Sequence, residues 1–169
     1  DVSELCEKLT IINDILKKDG INMIIYPGNE VYFSMDIVEN IKSKKICTLN
    51  SSKYFLMEFP MTGLVLNMEQ IIFMARQEGY IPIIAHPERY EFVTKDISKL
   101  LPLIEAGAFL QLNVGSIMGL YGSNAKNNAV KLLKNNMISF IGTDAHDSKR
   151  VYDIFDKSLK KISKLVDSE

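Results

Sequence analysis

Residues 81–90 read Ile-Pro-Ile-Ile-Ala-His-Pro-Glu-Arg-Tyr, and this stretch decides the fold. Its apolar first half is typical of a strand that is buried on both faces in a parallel sheet. Pro87 has no N–H to donate to a neighbouring strand, so we expect the strand to end at His86. In sheets and barrels built from βα units, ligands bind at the carboxyl ends of the strands. Residues 86–89 are therefore predicted to lie at a ligand-binding or catalytic site.

The composition is that of one ordinary globular domain. The 169 residues are 47% apolar and 24% charged, and the net charge of -1 disfavours binding to nucleic acid or to a membrane surface. No apolar run approaches the roughly 20 residues that span a bilayer, and no signal peptide is recognisable. The two cysteines, Cys6 and Cys47, fit a reducing compartment better than a disulfide framework. These features predict a cytoplasmic protein.

Apolar strands alternate with amphipathic helices along the whole chain. The patterns predict strands over 22–26, 53–59, 81–86, 108–114 and 137–143. They predict helices over 3–18, 35–41, 67–77, 97–106, 123–136 (with Ser123 as N-cap) and 151–166. Such alternation implies parallel strands, either in a doubly wound open sheet or in a TIM-like barrel. The nucleotide-binding open sheet is disfavoured because no Gly-x-Gly-x-x-Gly or P-loop motif occurs.

Each predicted strand ends in a polar residue of the kind that binds metals. In chain order these are Glu30, Glu58, His86, Asn113 and Asp144 with His146, and successive members are 28, 28, 27 and 31 residues apart. This spacing is about one βα unit, so the side chains are expected around one mouth. Carboxylates and imidazoles together suit Zn, Mn or Fe. For any single residue the alternative is a structural carboxylate that caps a helix or pairs with a lysine.

Arg89 is predicted to lie at the same mouth and to bind a phosphate through its planar guanidinium. The alternative is an ion pair with Glu88 or Glu91. Metal ions beside an arginine favour hydrolysis of a phosphate ester, because metals activate water and bind phosphoryl oxygens. Three aromatic residues near the strand ends either line a pocket for an aryl leaving group or belong to the packing: Tyr32, Phe33 and Tyr90.

Four motifs carry a resemblance to a known family. They are residues 27–32 (Pro-Gly-Asn-Glu-Val-Tyr), 56–59 (Leu-Met-Glu-Phe), 84–90 (Ile-Ala-His-Pro-Glu-Arg-Tyr) and 142–147 (Gly-Thr-Asp-Ala-His-Asp). Their order and spacing resemble the PHP (polymerase and histidinol phosphatase) superfamily. Within it, the chain is most similar to the manganese-dependent tyrosine-protein phosphatases of bacterial capsule and exopolysaccharide clusters.

The resemblance implies a distorted TIM-like (β/α)7 barrel with up to three divalent metals, Mn²⁺ in this branch. By motif position, the implied metal ligands are Glu30, Glu58, His86, Asp144 and His146. Arg89 would hold the phosphate, with Arg150 as a second arginine, although Lys149-Arg150-Val151 departs from the family's Arg-Pro-Pro. His86, Arg89 and Asp144 would be the catalytic residues.

The family opens with a His-x-His strand, which residues 1–169 do not contain. We therefore expect one PHP domain over 1–169 that forms the C-terminal part of a longer domain and lacks its first βα units. We also expect that this part alone neither fills three metal sites nor turns substrate over well.

The leading functional hypothesis is hydrolysis of phosphotyrosine in proteins, with a bacterial tyrosine kinase as the expected partner. A small-molecule phosphoesterase such as histidinol-phosphatase and a non-catalytic phosphopeptide-binding regulator are the alternatives. A carboxylate-pair glycosidase would explain neither the histidines nor Arg89. The oligomeric state is left open, with a homo-oligomer as one outcome.

Overall fold

A computed structural model describes residues 2–63 and 65–166 of the chain. In that part of the chain, five parallel strands form one sheet in the order β1-β2-β3-β4-β5. The strands are β1 Glu30–Tyr32, β2 Tyr54–Glu58, β3 Ile81–Ala85, β4 Phe109–Asn113 and β5 Phe140–Gly142. The helices are α1 Val2–Lys18, α2 Ile37–Lys42, α3 Met68–Gln77, α4 Glu91–Lys95, α5 Leu101–Glu105, α6 Val114–Ile117, α7 Gly122–Lys134 and α8 Phe155–Val166.

The strand order follows the chain order without a reversal. A doubly wound sheet has a switch point at which the order reverses, whereas a barrel adds each new strand beside the last. Within residues 2–63 and 65–166, β1 and β5 each pair on one side only, so the sheet is open at both edges. The sequential order therefore excludes a doubly wound sheet over these five strands.

The central strand β3 behaves as its sequence predicts. All five of its residues are buried, and it pairs with β2 on one side and β4 on the other. The side chains of Phe55, Met57 and Ile72 pack with it in the larger of two apolar clusters. A smaller cluster joins the end of β4 to α6, α7 and α8. Because each fully buried apolar side chain contributes about 1.5–3 kcal/mol, these clusters fix the strand ends.

The predicted strand over 22–26 is wrong. That segment is exposed, and the first strand is Glu30–Tyr32, which pairs with β2 in the register Glu30 to Leu56. The apolar run is bound to α1 instead, because the side-chain amide of Asn13 exchanges two hydrogen bonds of 2.9 Å with the backbone of Ile25. Glu30 therefore begins a strand rather than following one.

Three further predictions need correction. Helix α7 begins at Gly122 and has Tyr121 at its N-cap position, so Ser123 lies inside the first turn and makes no cap. The helix predicted over 97–106 is a 3-10 turn over residues 97–100 followed by α5, with Pro102 in the first turn of α5. The last helix likewise begins later than predicted, at Phe155, after a 3-10 turn.

The two ends of the sheet differ in chemistry. At the amino ends of the strands, the rings of Tyr54, Phe109 and Phe140 contact one another with centroids 5.7–6.5 Å apart. Most of the polar residues predicted as ligands lie at or just beyond the opposite, carboxyl ends: Glu58, His86, Asn113, Asp144 and His146. Glu30 is the first residue of β1, and its side chain reaches His86. Among the described residues, none of the helices is both long and apolar enough to cross a membrane.

Candidate functional site

Glu30, Glu58 and His86 meet at the carboxyl end of the sheet. Nε2 of His86 lies 3.1 Å from Oε1 of Glu30 and 3.6 Å from Oε1 of Glu58. One ligand atom from each of the three side chains lies within 4.8 Å of the other two. Glu58 is the last residue of β2 and His86 directly follows β3, so the parallel pairing of these strands places both side chains at one level.

The backbone at His86 is held in an uncommon conformation. His86 has φ 33° and ψ 54°, in the left-handed region that costs a non-glycine residue about 1 kcal/mol or more. The following turn is closed by a 3.0 Å hydrogen bond from the N–H of Arg89 to the carbonyl of His86. Pro87 also disfavours the right-handed helical conformation for the residue before it. One short turn thus places both His86 and Arg89 at the carboxyl end of the sheet.

Tyr90 stabilises this turn from below. Its hydroxyl donates to the carbonyl of Ala85 (2.8 Å) and accepts from the N–H of Phe59 (3.0 Å), and its ring packs edge-on against His86. Because Tyr90 is fully buried, it belongs to the packing and does not line a pocket. Phe33 packs against Phe59, whereas Tyr32 is exposed.

The electrostatics of the three-residue cluster favour a cation. The hydrogen bond with His86 lowers the pKa of Glu30, and the nearby side chains of Arg89 and His146 lower it further. Nδ1 of His86 is buried and has no hydrogen-bond partner among the described residues, while Nε2 faces both carboxylates. Two carboxylate oxygens and one imidazole nitrogen are a donor set that suits a divalent metal such as Mn²⁺ or Zn²⁺.

Arg89 pairs with Asp144, which neither alternative from the sequence anticipated. Nη1 of Arg89 donates to Oδ2 of Asp144 over 3.1 Å, and the guanidinium lies over the ring of Tyr121 at 4.7 Å. Glu91 is instead bound to Lys95 and to the N–H of Gly63.

Asp144 and His146 have partners other than the Glu30, Glu58 and His86 cluster. Oδ2 of Asp144 also accepts a 2.9 Å hydrogen bond from Nδ2 of Asn113, the last residue of β4. His146 is 84% exposed, and its Nδ1 lies 2.9 Å from the backbone carbonyl of Asp144. In the described part of the chain, neither residue belongs to the group of side chains close enough to share one ion.

Arg89 and Arg150 line one pocket of about 180 Å³, together with Tyr121, Asp144 and His146. Arg150 donates a long hydrogen bond (3.4 Å) to the carbonyl of Leu120. The carboxylate of Asp147 lines the pocket as well. Two guanidinium groups at one small pocket provide hydrogen-bond donors that suit a phosphate, and their charge offsets that of Asp144 and Asp147.

Glu88 is a structural residue that the sequence argument missed. It is fully buried, and its Oε1 accepts hydrogen bonds from the hydroxyl of Ser116 (2.5 Å) and the N–H of Asn113 (3.2 Å). Burial raises the pKa of Glu88 to about 7. Its carbonyl accepts from Nδ2 of Asn128, so one residue joins the His86–Arg89 turn to β4, α6 and α7. Its place in the turn directly after a buried strand was the available signal.

Comparisons with known proteins identify relatives of this chain. The CapC protein of Staphylococcus aureus is 37% identical over 134 residues, which cover 79% of this chain and 52% of that protein. Tyrosine-protein phosphatase YwqE of Bacillus subtilis is 34% identical over 138 residues, covering 82% of this chain and 54% of YwqE. This chain therefore spans about half the length of these relatives.

A solved structure shows the same fold. It comes from work on YwqE of Bacillus subtilis and CpsB of Streptococcus pneumoniae, described there as metal-dependent tyrosine phosphatases. It superimposes with a TM-score of 0.87 at 32% identity and covers 94% of this chain and 64% of that one.

The family comparison covers the whole chain. The model of the family described as "Capsular polysaccharide synthesis, CpsB/CapC" matches residues 1–169. The resemblance seen in the four motifs is thereby confirmed, and the chain belongs to the CpsB/CapC capsular polysaccharide synthesis family.

Proposed function

We propose that the protein is a metal-dependent phosphatase that hydrolyses phosphotyrosine in proteins and thereby regulates capsule or exopolysaccharide synthesis. One observation carries the proposal: the Glu30, Glu58 and His86 cluster shares its end of the sheet with a pocket lined by Arg89 and Arg150. Carboxylates and an imidazole suit a divalent metal, and paired guanidinium groups suit a phosphate. Relatives that are named as tyrosine phosphatases support the choice of substrate.

The metal of the proposal is Mn²⁺, with up to three ions in the complete domain. Its ligands would be Glu30, Glu58, His86, Asp144 and His146. When bound, a divalent metal lowers the pKa of water and stabilises negative charge on phosphoryl oxygens. Asp144 would serve through its Oδ1, because its hydrogen bonds with Arg89 and Asn113 both end on Oδ2.

The chain's own residues bind and orient the substrate. Arg89 binds phosphate oxygens in the 180 Å³ pocket, and Arg150 adds a second positive charge there. Asp144 accepts from Arg89 and so keeps the guanidinium at the pocket wall. His86 places Nε2 beside the carboxylates of Glu30 and Glu58, so the three side chains can hold a cation that offsets the repulsion between the two carboxylates.

The remaining parts of the proposal concern the whole protein. We propose a distorted TIM-like (β/α)7 PHP barrel, in which residues 1–169 form the C-terminal part of one domain. The sequential strand order supports that architecture. The partner is a phosphotyrosine protein, a bacterial tyrosine kinase in particular, and the location is the cytoplasm. A homo-oligomer is compatible with the proposal.

The test compares two substrates in the full protein with Mn²⁺: a phosphotyrosine peptide and histidinol phosphate. We expect hydrolysis of the peptide, its loss with EDTA and its recovery when Mn²⁺ is returned. His86→Ala should remove the activity, whereas Glu105→Gln, on the exposed face of α5, should keep it. Faster hydrolysis of histidinol phosphate than of the peptide would show that the substrate is a small molecule and not a protein. Binding of the phosphopeptide without turnover would show that the protein is a non-catalytic, phosphopeptide-binding regulator.

A further inference from the structure

Tyr121 is placed to control the direction of the Arg89 side chain. The carbon at the centre of the guanidinium lies 4.7 Å from the centre of the Tyr121 ring. A guanidinium over an aromatic face is attracted by the negative potential of that face. This attraction occupies none of the N–H groups of the guanidinium, so those not donated to Asp144 stay available for anion oxygens.

The Tyr121 ring is itself held by a close approach to α6. A Cβ atom added at Gly115 would lie 3.2 Å from Cε2 of Tyr121 and 2.9 Å from Cδ2 of Leu120. Only a residue without a side chain leaves room for this approach. Burial, followed by the negative charge of Asp144, raises the pKa of Tyr121, so the ring remains a neutral phenol.

The residue next to Gly115 completes the connection. Ser116 donates its hydroxyl to the buried carboxyl of Glu88, which directly precedes Arg89. The turn that carries Arg89 is therefore joined to α6 through its backbone neighbour and to Tyr121 through its own guanidinium. Arg89 and Tyr121 also form a wall shared by the 180 Å³ pocket and a neighbouring pocket of about 480 Å³ lined by Met61, Thr62 and Ala125.

We propose that Tyr121 is a positioning residue that fixes the Arg89 guanidinium between these two pockets, with its edge available to the phosphate of the substrate. The inference rests on the proposed phosphatase function. Tyr121 acts through Arg89 and its aromatic ring, and its hydroxyl is not required. Its contribution should therefore appear in the binding of phosphate groups rather than in the rate of the chemical step.

The experiment measures binding and turnover separately in the full protein with Mn²⁺. Calorimetry gives Kd for a peptide containing phosphonomethyl-phenylalanine, which is not hydrolysed, and kinetics give KM and kcat for the phosphotyrosine peptide. Tyr121→Leu should raise both Kd and KM roughly five- to tenfold while kcat changes less than about twofold. Tyr121→Phe should stay within about twofold of the parent in all three quantities. Phe73→Leu, which removes an exposed ring on α3, is the control for loss of an aromatic residue.

A double-mutant cycle shows whether Tyr121 acts through Arg89. Adding Tyr121→Leu to Arg89→Ala should change Kd by less than about twofold, because the partner of the ring is already gone. Additive effects of the two substitutions on Kd would overturn the proposal. So would a Tyr121→Leu variant with unchanged Kd, or a Tyr121→Phe variant that binds as weakly as Tyr121→Leu. If melting curves show that Tyr121→Leu does not fold, Tyr121→Met takes its place with the same expectation.

The proposed function and this inference can fail separately. If the parent protein binds the phosphonate but does not hydrolyse phosphotyrosine, the phosphatase proposal fails while the Kd values still decide the role of Tyr121. If the parent binds no phosphonate with Mn²⁺ present, both are overturned.

Discussion

The chain's two histidines lie at the same end of the sheet in opposite environments. The side chain of His86 is 3% exposed and contacts two carboxylates, whereas that of His146 is 84% exposed and lies beside a backbone carbonyl. The His86 region is an assembled cluster of ligand atoms. The His146 region also has residue types that bind metals, but Asp144 is hydrogen-bonded to Arg89 and Asn113, and His146 lies beside a backbone carbonyl.

The strands that precede the two histidines explain the difference. β3 has five buried residues and a neighbour on each side, and Tyr90 and Glu88 then hold the turn after it. β5 has three residues, lies at an edge of the sheet and leaves Phe140 and Ile141 exposed. A side chain at a strand end is positioned only as well as that strand is packed.

The largest expected effect comes from removing the better-positioned histidine. His86→Ala should lower kcat/KM for a phosphotyrosine peptide on the order of a thousandfold, about 4 kcal/mol, because the cluster loses one of its three ligand atoms for the metal. His146→Ala should lower it roughly tenfold, since that side chain is not part of the preformed cluster. Kinetics at saturating Mn²⁺ measure both losses. Equal losses for the two variants would refute the comparison.

The second expectation concerns Glu88, which secures the His86 side. Its pKa is about 7 in the folded protein against 4.5 for an ordinary glutamate, so between these values the folded state binds the extra proton. The contribution of Glu88 to the free energy of unfolding is therefore highest below about pH 4.5. It falls as pH rises through 7, by about 3 kcal/mol in all.

The variant that isolates this effect is Glu88→Gln, which cannot ionise. The free energy of unfolding of Glu88→Gln minus that of the parent should rise by about 3 kcal/mol between pH 4.5 and pH 8. Urea denaturation at several pH values measures it, with the exposed Glu105→Gln as matched control. Parallel pH profiles for Glu88→Gln and the parent would show that Glu88 is ionised in the folded state.

What the sequence could predict follows from how local each feature is. The strand at 81–85 and the turn at His86 were predictable, because a buried apolar run followed by proline allows few alternatives. The strand at 22–26 was wrongly predicted, because a short apolar run does not show whether a partner strand will accept it. The partner of β2 is instead Glu30–Tyr32, a segment with weaker apolar character.

The contacts of the candidate site depend on residues far apart in the chain. Glu88 is buried because Asn113 and Ser116, 25 and 28 residues later, provide its hydrogen bonds. Arg89 pairs with Asp144, 55 residues later, rather than with its neighbours Glu88 and Glu91. Patterns with periods of two to four residues carry no information about such pairs.

A smaller effect is expected when position 89 keeps its positive charge but loses the planar guanidinium group. Arg89→Lys should raise KM for the phosphotyrosine peptide about tenfold, about 1.4 kcal/mol, because an ammonium cannot bind Asp144 and phosphate through one planar group. His86 and its carboxylates are not altered, so Mn²⁺ affinity measured by calorimetry should stay within about twofold. A loss of Mn²⁺ affinity equal to the loss in KM would show that the two regions are coupled.

The smallest effect is expected for Arg150, on the more exposed, His146 side of the comparison. Arg150→Ala should raise KM about threefold, within the range of up to about 1 kcal/mol measured for exposed charges. The residue is exposed and its side chain is held by one long hydrogen bond to Leu120, so it supplies charge more than geometry. That loss should shrink as salt is raised from 0.05 to 0.5 M, whereas the loss in Arg89→Lys should change less, because Arg89 is half-buried. A loss in Arg150→Ala as large as that in Arg89→Lys, and as insensitive to salt, would show that Arg150 is held as firmly against the substrate as the half-buried Arg89.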